Sequence, residues 1–413
     1  MKTEKFLTKT TLLLVSSLTV MAGATIAPAL PSIGDHFSGV QHAGLWIRLM
    51  LTLPGLFIVL AAPLAGWFLD RNGRLRLLIP SMILYGIAGS SGLYLNTIPT
   101  ILAGRALLGI AVAGIMTSAT ILIADYYQGK ARSKFMGIQA AFMNFGGVVF
   151  LTAGGGLTEL GWRWPFSIYL LAILFVPLVV SSLPEPVKTS IKANPKNPTV
   201  STSNPGRLLA LLYSVAFGGM VMFYFIPLQI PFYLKSMVGA SPAISGIAIA
   251  VATLFSGVTA LFYGRIRAQM GHVPILALNF GLMGIGYVLI GLSTGYLSVI
   301  SGLVVSGLGM GLLFPNLNVW LTTQMPSAIR GRAVGGLATA VFLGQFLSPF
   351  AGQPVINEFG IGGLFFSAGI FIAGIALLFV LFRKAIPEFI NTADQPKEKE
   401  LPISAETIQR KAI

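Results

Sequence analysis

Few side chains in this sequence could make or break a bond. There are three histidines, His36, His42 and His272, and no cysteine. His36 and His42 stand six apart, a spacing that does not bring them to one helix face, and no thiolate joins them, so no zinc site is expected. Neither a phosphate-cradling Gly-x-x-x-x-Gly-Lys-Ser/Thr loop nor a Gly-x-Ser-x-Gly elbow occurs. Gly307-Leu308-Gly309-Met310-Gly311 has the outline of a dinucleotide turn, but it lies inside an apolar run without a βαβ setting. Small residues there let helices approach closely. The reading is a protein that is not an enzyme and holds no metal and no cofactor. Without cysteine it has no disulfide either.

What remains is polarity placed inside apolar sequence. Arg105 follows Pro99 by six residues, roughly 9 Å along a helix rising ~1.5 Å per residue. An arginine at such a depth costs roughly 2.5–3.5 kcal/mol to insert. It is expected to face a cavity rather than lipid. All twelve acids lie outside the apolar runs or at their ends; Asp35, beside His36 just past the first run, is the nearest candidate to carry a proton. Polar or aromatic side chains within runs are candidates to line a cavity: Gln139, Asn144, Tyr224, Gln229, Asn316, Asn318, Trp320 and Gln345. Polar groups in hydrocarbon need partners, whether backbone, each other or a substrate. With no acid among them, a neutral, amphipathic or anionic substrate fits better than a strongly cationic one, and Arg105 would be the partner of an anion.

The elements that must position these residues follow from composition. Hydrophobic residues make up 55% and charged residues only 9%, with a mean hydropathy of +0.82. A soluble domain carries about a quarter charged residues, so the class is all-α polytopic membrane protein. Charges, Pro and Gly divide the chain into twelve apolar segments of about the ~20 residues that a bilayer requires. They fall at about 10–30, 44–69, 76–96, 99–124, 134–158, 163–183, 207–234, 242–264, 273–293, 296–324, 333–355 and 361–383. Lys2, Lys5 and Lys9 before the first run imitate a signal peptide, but the run continues to Leu30 and reads as an uncleaved helix.

The net charge of +15 sits in loops, not on a basic face, so nucleic acid is not an expected partner. One set of loops holds Arg71, Arg74, Arg76, Lys130, Arg132, Lys134, Arg265, Arg267, Arg330 and Arg332 with their like; the opposite set holds only Arg48, Arg163 and Lys235. The positive-inside rule then puts both termini in the cytoplasm of a multi-pass plasma-membrane protein. Residues 184–206, with five prolines among Ser, Thr, Asn and Lys, read as a cytoplasmic linker between six-helix bundles at 1–183 and 207–383. Residues 384–413 form a cytoplasmic tail.

The halves repeat. Gly66 and Gly73 flank one basic turn; Gly264 and Gly271, each 198 residues later, flank another. The same shift takes Arg132 to Arg330, Gly137 to Gly335 and Gly146 to Gly344. Two pseudo-symmetric bundles related in this way place a substrate site at their interface, near mid-membrane.

The first basic turn reads Gly66-x-x-x-Asp70-Arg71-x-Gly73-Arg74. A carboxylate at Asp70 suits the positive end of a neighbouring helix, and Gly73 admits a turn that other residues resist. The pattern resembles the signature loop between helices 2 and 3 of the major facilitator superfamily. The resemblance covers the whole chain. It implies that Asp70 meets the start of helix 11, near Arg332, and that Arg74 pairs with Asp125 at the end of helix 4, forming a conformational latch; Ala268 replaces the acid in the second half. Arg105-x-x-x-Gly109 with Gly114 resembles the family's helix 4 motif, whose arginine is linked to proton coupling. Gly147, Gly155 and Gly156 match part of the helix 5 pattern of its drug antiporters, with Leu151 and Thr152 where that pattern has Gly-Pro. These glycines are read as helix-packing positions. Pro28-Ala29-Leu30-Pro31 is similar to the end of helix 1 in drug-efflux members. The implied function is alternating-access transport of a small molecule by a monomer in the lipid bilayer, as proton-coupled efflux of amphipathic compounds. The alternatives are a facilitator or symporter of a sugar-like or anionic metabolite and, in another class, a non-transporting receptor or scaffold.

Overall fold

In hydrocarbon no water can satisfy a backbone N–H or C=O, so a spanning segment must bond to itself as helix. The computed structural model, which describes residues 6–185 and 205–383, is built in this way. Among the described residues, eleven segments are long and apolar enough to cross a membrane. Helix α1 runs over Phe6–His36 and is broken by a 3-10 turn at Ala27–Ala29, where Pro28 removes a donor. It is followed by α2 Ala43–Asn72, α3 Leu75–Tyr94, α4 Ile98–Tyr126, α5 Gly129–Glu159 and α6 Trp164–Ser182. Then come α7 Pro205–Val238, α8 Pro242–Gln269, α9 His272–Gly291 and α10 Tyr296–Gln324.

The eleventh segment, Ile329–Leu381, has 53 residues, more than twice what a bilayer needs. It is not one helix. Gly360 takes φ 70° and ψ −178°, outside helical geometry, and a Cβ on Gly352 would lie 3.5 Å from Leu364, so the chain doubles back. Residues 327–359 are therefore α11 and 361–381 are α12. The twelve-helix expectation stands.

Helices α1–α6 pack as one bundle and α7–α12 as the other. Cross-helix bonds from buried tyrosines tie the first together: Tyr85 donates to the Leu18 carbonyl at 2.6 Å and Tyr169 to that of Ala22 at 2.9 Å. Large apolar side chains such as Leu64, Leu261, Leu297 and Ile370 point outward, an apolar surface suited to lipid. One end of the molecule carries the start of α1 and the end of α12 (the terminal face); the opposite end is the far face. Of the expected linker at 184–206, residues 186–204 lie outside the described residues, as does the expected tail at 384–413.

Candidate functional site: the seam between the bundles

The bundles meet where α5 crosses α8 and α2 crosses α11. Small residues make the crossings possible. A Cβ on Gly155 would stand 2.7 Å from the Pro242 carbonyl, on Gly246 2.6 Å from that of Leu151, and on Gly55 2.9 Å from that of Phe342. Any side chain there would push the backbones apart. Three polar links close the far face. Asp35 at the end of α1 pairs with Lys235 on α7. Glu159 at the end of α5 accepts from the backbone N–H of Ala243 at 3.0 Å, which sets a carboxylate on the positive end of α8. Arg48 on α2 donates from Nε and Nη2 to Gln229 Oε1 on α7, at 3.1 and 3.0 Å.

Toward the terminal face the packing loosens. Among the described residues, Gly66 and its repeat mate Gly264, and Gly137 and its mate Gly335, have nothing within 4 Å of a Cβ position, and the same holds for Gly331. The seam is a wedge, tight at the far end and open toward the terminal end.

Four of the eight expected cavity residues meet the other bundle. Gln345 on α11 packs against Gly55 of α2, Tyr224 on α7 against Gly23 of α1, and Asn144 on α5 against Gly257 of α8. Gln229 meets Arg48, whereas Gln139 donates to Ser16 Oγ of α1 at 2.8 Å, within the first bundle. The other three are placed differently. Asn316 and Trp320 are fully buried within the second bundle. Asn316 Oδ1 faces His272 Nδ1 at 2.8 Å, and the Trp320 ring stacks on His272 at 5.0 Å. They build a network at the α8–α9 turn, not a cavity wall. Asn318 is exposed and donates to the Phe314 carbonyl of its own helix. A polar residue inside a run needs a partner, and hydrogen bonds within one bundle meet that need as well as a cavity does.

Arg105 is fully buried, between α3 and α6 of the first bundle. Its Nη2 donates to the Gly89 carbonyl at 2.6 Å, and the guanidinium lies 4.8 Å from the rings of both Phe166 and Tyr169. Its Nε and Nη1 have no partner. The expectation that it faces a cavity is therefore corrected: protein encloses it, and aromatic faces supply the attraction. Arg48, which the sequence places with the outer loops, is a buried basic residue on the seam. A charge near the start of a run looks like a loop residue until its partner, far away in sequence, is known.

At the turn between α2 and α3, Gly73 takes φ 107°, a region that L side chains rarely adopt. Arg74 Nε donates to Asp125 Oδ2 at the end of α4, at 2.9 Å. The Glu185 carboxylate, which the sequence reading assigns to the linker, accepts from the backbone N–H groups of Arg74 and Leu75 at 2.6 and 2.9 Å, capping α3. Arg71 lies over the Trp67 ring. The side chain of Asp70 lies outside the described residues. Of the packing glycines, Gly109 meets Pro54 of α2, Gly114 meets Ser81 of α3, and Gly147 lies between Val20 and Thr253. Gly156 is corrected: nothing stands within 4 Å of its Cβ position, so it is not at a helix contact.

The comparisons with known proteins agree with this architecture. The sequence pattern described as the Major Facilitator Superfamily matches residues 12–237 and again 211–412. A multidrug transporter protein, MdtP of Bacillus subtilis strain 168, is 22% identical over 86% of this chain and 78% of its own length. A cis,cis-muconate transport protein of Acinetobacter baylyi is 26% identical over 82% of this chain and 85% of its own. The crystal structure of a D-xylose-proton symporter superposes with a TM-score of 0.74 at 16% identity, over 93% of this chain and 99% of that one; at that identity the likeness concerns the fold. Two repeated six-helix bundles, a glycine-lined seam and the double sequence match lead to one assignment: this chain belongs to the Major Facilitator Superfamily of membrane transporters.

Proposed function

We propose that this transporter exports small amphipathic molecules in exchange for protons, the two bundles rocking about the seam so that the site faces one side at a time. The observation that carries the reading is the wedge itself. Its far end is held by the Asp35–Lys235, Glu159–Ala243 and Arg48–Gln229 links. Asn144, Tyr224 and Gln345 lie where α5, α7 and α11 face the other bundle. Basic turns at 71–76 and 265–267 put the terminal face in the cytoplasm by the positive-inside rule, so the open part faces the compartment that an exporter loads from. The turn with Arg74, Asp125 and Gly73, together with Asp70, is the latch that holds the terminal face when it closes, and Arg105 tunes coupling through the first bundle. The name of the multidrug relative supports efflux. A second reading, a facilitator or symporter of an anionic metabolite, draws on the muconate relative and on Arg48, which is buried without an ion-pair partner among the described residues.

The test is flux in inside-out vesicles with an imposed pH gradient and a panel of amphipathic dyes and acids. Export predicts accumulation in the lumen that a protonophore abolishes. Accumulation under the opposite gradient would favour the second reading, and no flux under any gradient would overturn both.

A further inference from the structure

The far end of the seam holds a charge whose present partner does not neutralise it. Arg48 is 6% exposed, and its guanidinium lies 4.7 Å from the Phe232 ring. Its Nη1 donates to the Gly44 carbonyl at 2.8 Å, while Nε and Nη2 both donate to one neutral oxygen, Gln229 Oε1. A buried arginine ordinarily takes a carboxylate, which its planar fork binds through two parallel bonds. Here an amide oxygen stands on the edge where that carboxylate would bind. Gln229 is itself fully buried, and its Nε2 has no partner. An orphaned polar group is destabilising, and one beside an unneutralised guanidinium calls for a ligand rather than for packing.

We infer that Arg48 and Gln229 form the recognition point for a carboxylate on the transported molecule, so that the substrates are organic acids. The inference rests on the transporter reading and names its substrate class. A carboxylate entering along the wedge takes the Nε–Nη2 edge in place of Gln229 Oε1. The released amide then turns its Nε2 hydrogens to the second carboxylate oxygen. Without substrate, Gln229 satisfies the fork and keeps α7 against α2. Being neutral, it yields to an anion; a glutamate in its place would not. Recognition and closure of the far face thus share one set of atoms.

The test uses the full-length protein with 4-phenylbutyrate and octanoate, each against its methyl ester. Binding is read by thermal stabilisation in detergent, and flux by proteoliposome uptake of labelled 4-phenylbutyrate beside a neutral amphipathic dye. The acids are expected to bind at least tenfold tighter than their esters. Gln229→Glu is expected to remove acid binding at least tenfold while its own melting temperature stays at or above that of the parent, because it still meets Arg48. Arg48→Lys, which keeps the charge without the fork, is expected to weaken acid binding severalfold, and Arg48→Gln to erase the difference between acid and ester. Equal binding of acids and esters, or acid binding that survives Gln229→Glu, would overturn the inference. If the dye is carried and the acids neither bind nor compete, only the substrate class fails. If neither moves under any gradient, the transporter reading fails with it.

Discussion

Arg74 Nε donates to Asp125 Oδ2 at 2.9 Å, tying the turn after α2 to the end of α4. One repeat later, 198 residues on, the position of Arg74 is held by His272, and the chemistry changes. His272 Nδ1 meets Asn316, its Nε2 faces the Arg267 guanidinium at 3.2 Å, and Tyr263 donates to the same Asn316 oxygen. A charged clamp in one bundle answers to a histidine–amide network in the other. The Arg74–Asp125 clamp is partly exposed at 17% and 28%. A pair this wet contributes under about 1 kcal/mol to stability, so the proposed latch would act on conformational choice rather than on folding. Arg74→Ala and Asp70→Asn should each lower flux severalfold while membrane insertion and melting temperature stay near those of the parent. Normal flux in both variants would remove the latch.

Gly73→Ala should destabilise the turn by about 1–2 kcal/mol from backbone strain alone. The added methyl would also meet Glu185 Oε1 at 2.8 Å, against the cap on α3. A fall in melting temperature checks it, and Glu185→Gln should give part of the same loss.

Arg105→Ala should abolish coupled transport, because the guanidinium fills the space between Phe166, Tyr169 and Gly89. Arg105→Lys, unable to lie flat on both rings, should recover little. The pH dependence of residual flux is the readout: loss of that dependence supports a coupling role, and an unchanged profile assigns Arg105 to structure.

The chain has no cysteine, so introduced thiols report cleanly. Asp35→Cys with Lys235→Cys, joined by a short bifunctional thiol reagent, should arrest flux until the bridge is reduced. Continued flux with the bridge intact would show that the far face need not open.

Much of this architecture is legible before any coordinates. Bilayer thickness fixes segment length, so twelve runs become twelve helices, and Gly360 turns the chain where 355–361 marks the break. The Arg74–Asp125 pair is legible through the resemblance of the loop between helices 2 and 3 to the family's signature, which implies an acid at the end of helix 4. The seam is read less well, since polarity alone does not say which neighbour satisfies it. Asn316 and Trp320 face His272 within one bundle, whereas Gln345 and Tyr224 face the other bundle. Arg48 is misread as a loop charge because its partner Gln229 lies 181 residues away. Glu185 looks like linker until the open N–H groups of α3 claim it.

Rocking about the seam is the central claim, and paired spin labels measure it most directly. One pair replaces Asp35 and Lys235 at the far face, and the other replaces Gly137 and Gly335, where open space surrounds the Cβ positions. Across a change of pH gradient or addition of a carried compound, the far-face distance should lengthen as the terminal-face distance shortens. Both distances holding constant while flux proceeds would contradict the account.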